Sequence, residues 1–216
     1  MVKIGCCLDN LTDGFPEKTV TQIYGDFATG KTTICLQLCS QNFKLGKKSI
    51  YIDTEGGFSP ERLLQMNPDI DLKKILVFEP FSFEEQCEIM ENLEDKMNEE
   101  IGFIAVDSMI SLYRLEGGTY DEKRDLNRLL GKQLLNLSKI ARNYNIPVVI
   151  TNQIYEDFDN GITPLGGSVL RYWSKIIIKL EKIPEKTGMR KATIIKHKYK
   201  KEGSFCEFLL TDKGII

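Results

Sequence analysis

The sequence predicts an α/β fold, a mostly parallel twisted sheet flanked by helices and extended at its C-terminal end by antiparallel edge strands. Three observations lead there. Short, almost wholly apolar runs recur as far as Asn152; segments with helical spacing of apolar residues lie between them; and beyond about residue 175 the helical segments give way to three β-like runs. Strands that are apolar on both faces belong to a parallel sheet covered on both sides. The later runs, joined by turn residues, suit an antiparallel extension.

The elements follow in order. Val20 to Tyr24 is a strand that runs through GDFATGKTT into a helix carrying Ile34, Leu36, Leu38 and Phe43. Lys48 to Asp53 is a second strand, and Ser59-Pro60-Glu61 opens a helix with an N-cap serine and a proline at the first helical position. Ile75 to Phe78 is a third strand, and Ser82 to Asn98 a helix with acids on its outer face. Gly102 to Asp107 is a fourth strand, Asp121 to Tyr144 a long amphipathic helix, and Pro147 to Asn152 a fifth strand. KIIIKL, ATIIKHKY and FCEFLL are the C-terminal runs, with KTGMRK and KKEGS between them. No repeat or linker interrupts the chain, so residues 1–216 are expected to form one domain.

Composition narrows the function. A net charge of -2 gives no global positive field for nucleic acid, so any DNA contact must come from a local patch. The six cysteines show no two-residue spacing of a zinc or redox motif, and His197 is the only histidine. They read as thiols of a reducing cytoplasm. No apolar run is long enough to span a membrane, and the first residues lack a signal-peptide core, so a soluble cytoplasmic protein is expected.

The strongest motif is Gly25-Asp26-Phe27-Ala28-Thr29-Gly30-Lys31-Thr32, followed by Thr33, which matches G-x-x-x-x-G-K-[ST] between a strand and a helix. A polyphosphate must be met by backbone N–H groups that side chains would obstruct, and the helix starting near Lys31 turns its positive end toward them. Lys31 adds a cation for the outer phosphates, and the Thr32 hydroxyl can ligate Mg²⁺. ATP with Mg²⁺ is the expected cofactor pair. Asp107 ends an apolar strand where a second metal-side carboxylate is required. Glu55, in Asp53-Thr54-Glu55-Gly56-Gly57, is the best-placed acid to activate water, with Asp53 two residues earlier on the same side if the strand persists.

Together VTQIYGDFATGKTTICLQLC, YIDTEGGFSPERL, IGFIAVDSMISLYR and IPVVITNQ resemble the core of the RecA/RadA recombinases, in that order and over nearly the whole chain. The resemblance implies a RecA-like P-loop core and an ATP-binding accessory protein of DNA repair and homologous recombination, a weak Mg-dependent ATPase. It implies that Glu55 activates water, that Asp107 stands on the magnesium side, and that Gln153 senses the γ phosphate at the start of the second DNA-binding loop. Arg62 resembles the arginine over the adenine ring, with a solvated helix arginine as the alternative. Adenine over guanine comes from the resemblance too. DNA and recombination proteins such as RadA or a junction nuclease are the implied partners, a homodimer is admitted, and no membrane is involved.

The departures bear on use. RadA has a helical N-terminal DNA-binding domain and a linker that docks on the next subunit, whereas this sequence begins almost at the ATPase core, which sets the expectation of no separate N-terminal domain. Only Arg114 in Leu112 to Asp121 offers a phosphate contact, and Ile154 to Gly167 carries Glu156, Asp157 and Asp159 without a base. Acids there would repel phosphates, so strand exchange is not expected. In RKATIIKHKYKK, a strand from Ile194 to Lys200 would put Lys196, Lys198 and Lys200 on one face. Three readings stand: DNA contact; a cation supplied to a neighbour's nucleotide, similar to the lysine pair of bacterial RecA; or a lysine-protected edge strand. The competing functions are a DNA-stimulated, filament-forming recombinase and an ATP-switched interaction module without DNA.

Overall fold

The computed structural model describes residues 1–117, 119–157, 161–164 and 167–216, with side chains in all of these except 155–157 and 161–164. Helix α1 (Cys7–Thr12) precedes strand β1 (Thr19–Gly25), helix α2 (Lys31–Lys44), β2 (Lys48–Asp53), α3 (Pro60–Met66) and β3 (Ile75–Phe78). Then come α4 (Phe83–Glu91), β4 (Ile101–Asp107), α5 (Ser111–Leu115), α6 (Tyr120–Asn143), β5 (Pro147–Asp157), β6 (Gly161–Pro164) and α7 (Gly167–Trp173). β7 (Ile176–Lys182), β8 (Met189–Lys196), β9 (Phe205–Thr211) and β10 (Gly214–Ile215) complete the chain. The sheet order is β10-β9-β8-β7-β1-β5-β4-β2-β3, with β6 paired to β5. β7, β1, β5, β4, β2 and β3 pair in parallel, while β7 to β10 pair antiparallel.

Strand alternation divides the core into two layers. Ile23, Tyr51, Phe103, Ala105 and Val149 face α2, where Ile34, Cys35 and Leu38 cover them. Ile50, Ile52, Ile104, Val106, Val148 and Ile150 face the other way, against Leu130, Leu134, Leu137 and Ile140 of α6. Burial of both faces is why these strands read as unbroken apolar runs. The helices start where local chemistry satisfies their free N–H groups. Ser59 Oγ accepts from Arg62 N at 3.1 Å ahead of Pro60, and Thr119 with Glu122 forms a capping box on α6.

Three expectations are corrected. The strand expected over Pro147 to Asn152 continues to Asp157, where it pairs antiparallel with β6 inside the segment expected as a loop. The helix expected over 82–98 stops at Glu91, and a short 3-10 turn at Leu93–Lys96 follows. At the break Asn92 caps the helix, its Nδ2 donating to the Glu88 carbonyl at 2.9 Å beside the helical bond from its own N–H at 3.1 Å. The strand expected from Ile194 to Lys200 ends at Lys196. His197 Nδ1 accepts the backbone N–H groups of Tyr199 (3.3 Å) and Lys200 (3.2 Å), closing a turn where strand pairing would have continued. All six cysteines are free thiols, and Cys7 Sγ contacts Cys206 Sγ at 2.6 Å where α1 meets β9. Among the described residues no helix is long and apolar enough to cross a membrane.

Candidate nucleotide site

β1 delivers the glycine-rich loop to the carboxyl end of the sheet, with Gly25 paired to Gln153 on β5 and to Leu180 on β7. The fit around Gly25 leaves no room for a side chain, since a Cβ would lie 2.4 Å from the Leu180 carbonyl oxygen. Within the loop Ala28 (φ +55°) and Gly30 (φ +100°) are left-handed, and α2 begins immediately at Lys31. Thr29 Oγ1 donates to the Asp26 carbonyl at 2.8 Å, and Asp26 Oδ1 accepts from Phe27 N at 2.7 Å. Lys31 arches back over the loop, its ammonium donating to the carbonyls of Gly25 and Asp26, both at 2.9 Å. Burial lowers the Lys31 pKa, opposed by Asp107, Glu55 and Asp26.

The carboxylates arrive by the two-residue strand period. Tyr51 and Asp53, Ala105 and Asp107, and Thr151 and Gln153 alternate onto the α2 face. Asp107, only 4% exposed, accepts from the Tyr51 hydroxyl at 2.8 Å through Oδ2 and from Thr151 Oγ1 through Oδ1. Both oxygens are thereby oriented, and burial, reinforced by the proximity of Asp107, holds the Tyr51 phenol well above its ordinary pKa. Glu55 accepts from Gln153 Nε2 at 3.0 and 2.9 Å and from Ser108 Oγ at 2.8 Å. Asp53 differs from the expectation of a companion acid. Its carboxylate accepts the backbone N–H groups of Glu55 (3.1 Å), Gly57 (3.1 Å) and Phe58 (2.7 Å), so it shapes the loop that presents Glu55.

Lys31, Thr32, Glu55, Asp107 and Gln153 line one cavity of about 240 Å³ at the mouth of the loop. A larger one, about 630 Å³, opens at the opposite end of the sheet between Lys47, Glu99, Asn143 and Pro147. It holds neither a glycine loop nor strand-end acids, so we assign the chemistry to the smaller cavity. The donor set there fits a triphosphate with Mg²⁺: a helix N-terminus behind a backbone cradle, one ammonium, a threonine hydroxyl, and a carboxylate fixed by two donors.

A model of the Rad51 family matches residues 3–216. This chain belongs to the Rad51 family. "DNA repair and recombination protein RadB" of Methanococcus maripaludis strain C5 is 46% identical to it over 213 residues, covering 96% of each chain. The protein of that name from Methanosphaera stadtmanae is 41% identical over 225 residues, covering 100% of this chain and 95% of its own. A solved structure titled "Crystal structure of the RadB recombinase" superposes with a TM-score of 0.85 at 37% identity, covering 100% of this chain and 98% of that one. The expected resemblance and the mixed sheet with antiparallel C-terminal strands are both borne out.

The other sequence candidates of this Rad51-family chain divide. Arg62 is not a solvated helix arginine, because its guanidinium donates to the carbonyls of Thr211 and Asp212 and to Gln65 Oε1, pinned to the turn after Leu210. Arg114 ends α5 beside Glu55, Ser108 and Gln153. Lys196, Lys198 and Lys200 do not share a face. The Lys196 ammonium donates to the carbonyls of Arg171 (2.6 Å) and Ser174 (2.7 Å), Lys200 pairs with Asp13 at 2.8 Å, and Lys198 is exposed on the turn between them. Asp159 and the side chains of Glu156 and Asp157 lie outside the described residues. Sequence reasoning missed Tyr51, Ser108 and Thr151. A hydroxyl ending or interrupting an apolar strand, as in SIYID and VVIT, was the available signal.

Proposed function

We propose that this chain is an ATP-responsive accessory protein of DNA repair and homologous recombination that binds ATP with Mg²⁺ and hydrolyses it slowly. The observation that carries this reading is the contact between Gln153 and Glu55. The Gln153 carboxamide donates to both oxygens of the water-activating carboxylate, and its backbone stands in register with Gly25. Gln153 also leads directly into residues 154–167. A change at the γ phosphate therefore reaches that segment through one side chain. Mg²⁺ would neutralise charge on the outer phosphates, held from Thr32 and, with its orientation set by Tyr51 and Thr151, Asp107. Lys31 binds the phosphates, Glu55 accepts a proton from water, and Arg62 flanks the base.

DNA contact falls on a face different from a single lysine row. By binding the carbonyls of Arg171 and Ser174, Lys196 ties the end of α7 to the turn that carries Lys198 and Tyr199. Tyr172 on α7 and Tyr199 are 69% and 66% exposed, and the Lys175 ammonium lies 5.7 Å from the Tyr172 ring centroid. Cations interleaved with exposed rings suit single-stranded nucleic acid. With its ammonium committed to carbonyls of its own chain, Lys196 is a poor candidate for a neighbour's phosphate. The basic-free, acidic sequence of 154–167 supports a modulating role over strand exchange.

The test is ATP turnover with and without single-stranded DNA, for wild type and Glu55→Gln. We expect slow turnover raised less than about tenfold by DNA, and a further loss of about 10² or more in Glu55→Gln with nucleotide binding retained. Stimulation by orders of magnitude would replace this reading with a recombinase motor. DNA binding that is absent at low salt would leave the interaction module, and binding unchanged in Arg171→Glu/Lys175→Glu/Lys198→Glu would show that this face is not the DNA site.

A further inference from the structure

The phosphate loop is also held from outside the motif. Arg190 on β8 donates through Nε (3.2 Å) and Nη2 (3.0 Å) to the carbonyl oxygen of Ala28, while Nη1 donates to the Met189 carbonyl of its own strand at 2.9 Å. Lys182, the cross-strand partner of Arg190 on β7, places its ammonium 3.9 Å from the Phe27 ring centroid. Both residues at the tip of the loop are therefore gripped by cations from one antiparallel pair. Ala28 needs such a grip, because its φ of +55° is a left-handed conformation that a residue with a Cβ adopts reluctantly.

The planarity of the peptide gives the grip a direction. In a trans peptide the C=O and the following N–H point opposite ways. An Ala28 carbonyl turned toward Arg190 sends the Thr29 N–H away from the guanidinium, into the loop. Were that peptide to flip, a carbonyl oxygen would face the phosphates in place of a donor. Among the described residues Arg190 forms no ion pair with a carboxylate, so its positive charge also stays in the field of the bound anion. We propose that Arg190 is a positioning residue for nucleotide binding, fixing the Ala28–Thr29 peptide in its phosphate-accepting orientation, with Lys182 steadying the neighbouring Phe27.

This inference rests on the reading of Gly25–Thr33 as a triphosphate site, and the experiment separates the two. Fluorescent ATP and ADP analogues are titrated into wild type, Lys31→Ala, Arg190→Ala, Arg190→Lys and Lys182→Ala, alongside KM, kcat and melting temperature. For Arg190→Ala we expect Kd for both nucleotides, and KM, to rise by about tenfold, the scale of a lost charge-assisted hydrogen bond. Its kcat should stay within about twofold, because the groups that act on the γ phosphate are untouched. Arg190→Lys should recover most of the affinity, and Lys182→Ala should cost about two- to threefold. Affinity unchanged in Arg190→Ala, or a loss that follows melting temperature and that lysine does not rescue, overturns the proposal. If wild type binds neither analogue, or Lys31→Ala binds them as well as wild type, the site reading itself fails and takes the inference with it.

Discussion

The parallel half of the sheet and its antiparallel extension use charged side chains in opposite ways. In the parallel half, Glu55 and Asp107 from strand ends and Lys31 from the start of α2 meet in one cavity, and hydrogen bonds from Tyr51, Thr151, Ser108 and Gln153 aim the two carboxylates. In the extension, Lys196, Lys200, Arg190 and Lys182 are spent on carbonyls, an aspartate and an aromatic ring. A parallel strand that ends at a switch toward a helix leaves its terminal side chain facing a crevice. An antiparallel strand that turns back on its neighbour offers its cations to carbonyls that need donors. A lysine-rich run is therefore no guide to a binding surface until its hydrogen-bond partners are known.

That comparison can be broken at several points. The largest effect should come from the donors behind Asp107. Thr151→Val or Tyr51→Phe should raise the Mg²⁺ concentration for half-maximal turnover by about tenfold or more, as expected for partners that orient a metal-side carboxylate. A Mg²⁺ titration of ATPase rate that gives wild-type curves would show that the aim of Asp107 is unimportant. Next, Lys196→Met should destabilise the fold by about 1–3 kcal/mol in urea melts, through loss of two carbonyl contacts. Lys198→Glu should leave stability within about 0.5 kcal/mol, as surface substitutions usually do, and should weaken DNA binding. The reverse assignment would erase the distinction between a structural and a free cation.

The smallest effect is a pH dependence of the turn at His197. Burial is the main cause that lowers its pKa below the usual 6.5, aided by Lys200 and Lys198. The unfolded chain therefore takes up the proton first. The contribution of neutral His197 to stability is full above 6.5 and is lost as pH falls through the folded value. Protonation also removes the Nδ1 lone pair that accepts from Tyr199 and Lys200. Melting temperature of wild type should thus drop more steeply between pH 7 and 5 than that of His197→Gln, and parallel curves would show that the ring is not titrating against the turn.

Much of this was legible without coordinates, for reasons visible in particular residues. β2 and β3 occur over the expected Lys48–Asp53 and Ile75–Phe78, because an apolar run bounded by turn residues has one good way to be buried. Ser59 caps α3 as its spacing indicated. α1, α5, α7, β6 and β10 went unseen: they span two to seven residues, too short for a periodicity to accumulate. Asn92 and His197 stand where elements end and bond to nearby backbone, which no hydrophobic pattern registers.

The sequence by itself determined the phosphate loop, the strand-end position of Asp107, and membership of a RecA-type fold, because each is a local pattern with a local physical cause. Only the tertiary structure decided what surrounds them. It put Asp53 to work on three backbone amides, locked Asp107 between Tyr51 and Thr151, and brought Arg190, distant in sequence, onto the carbonyl of Ala28. The contacts of Asp107 and Arg190 join segments that are far apart in sequence. Their partners follow from strand order and register, which the spacing of residues along the chain does not encode.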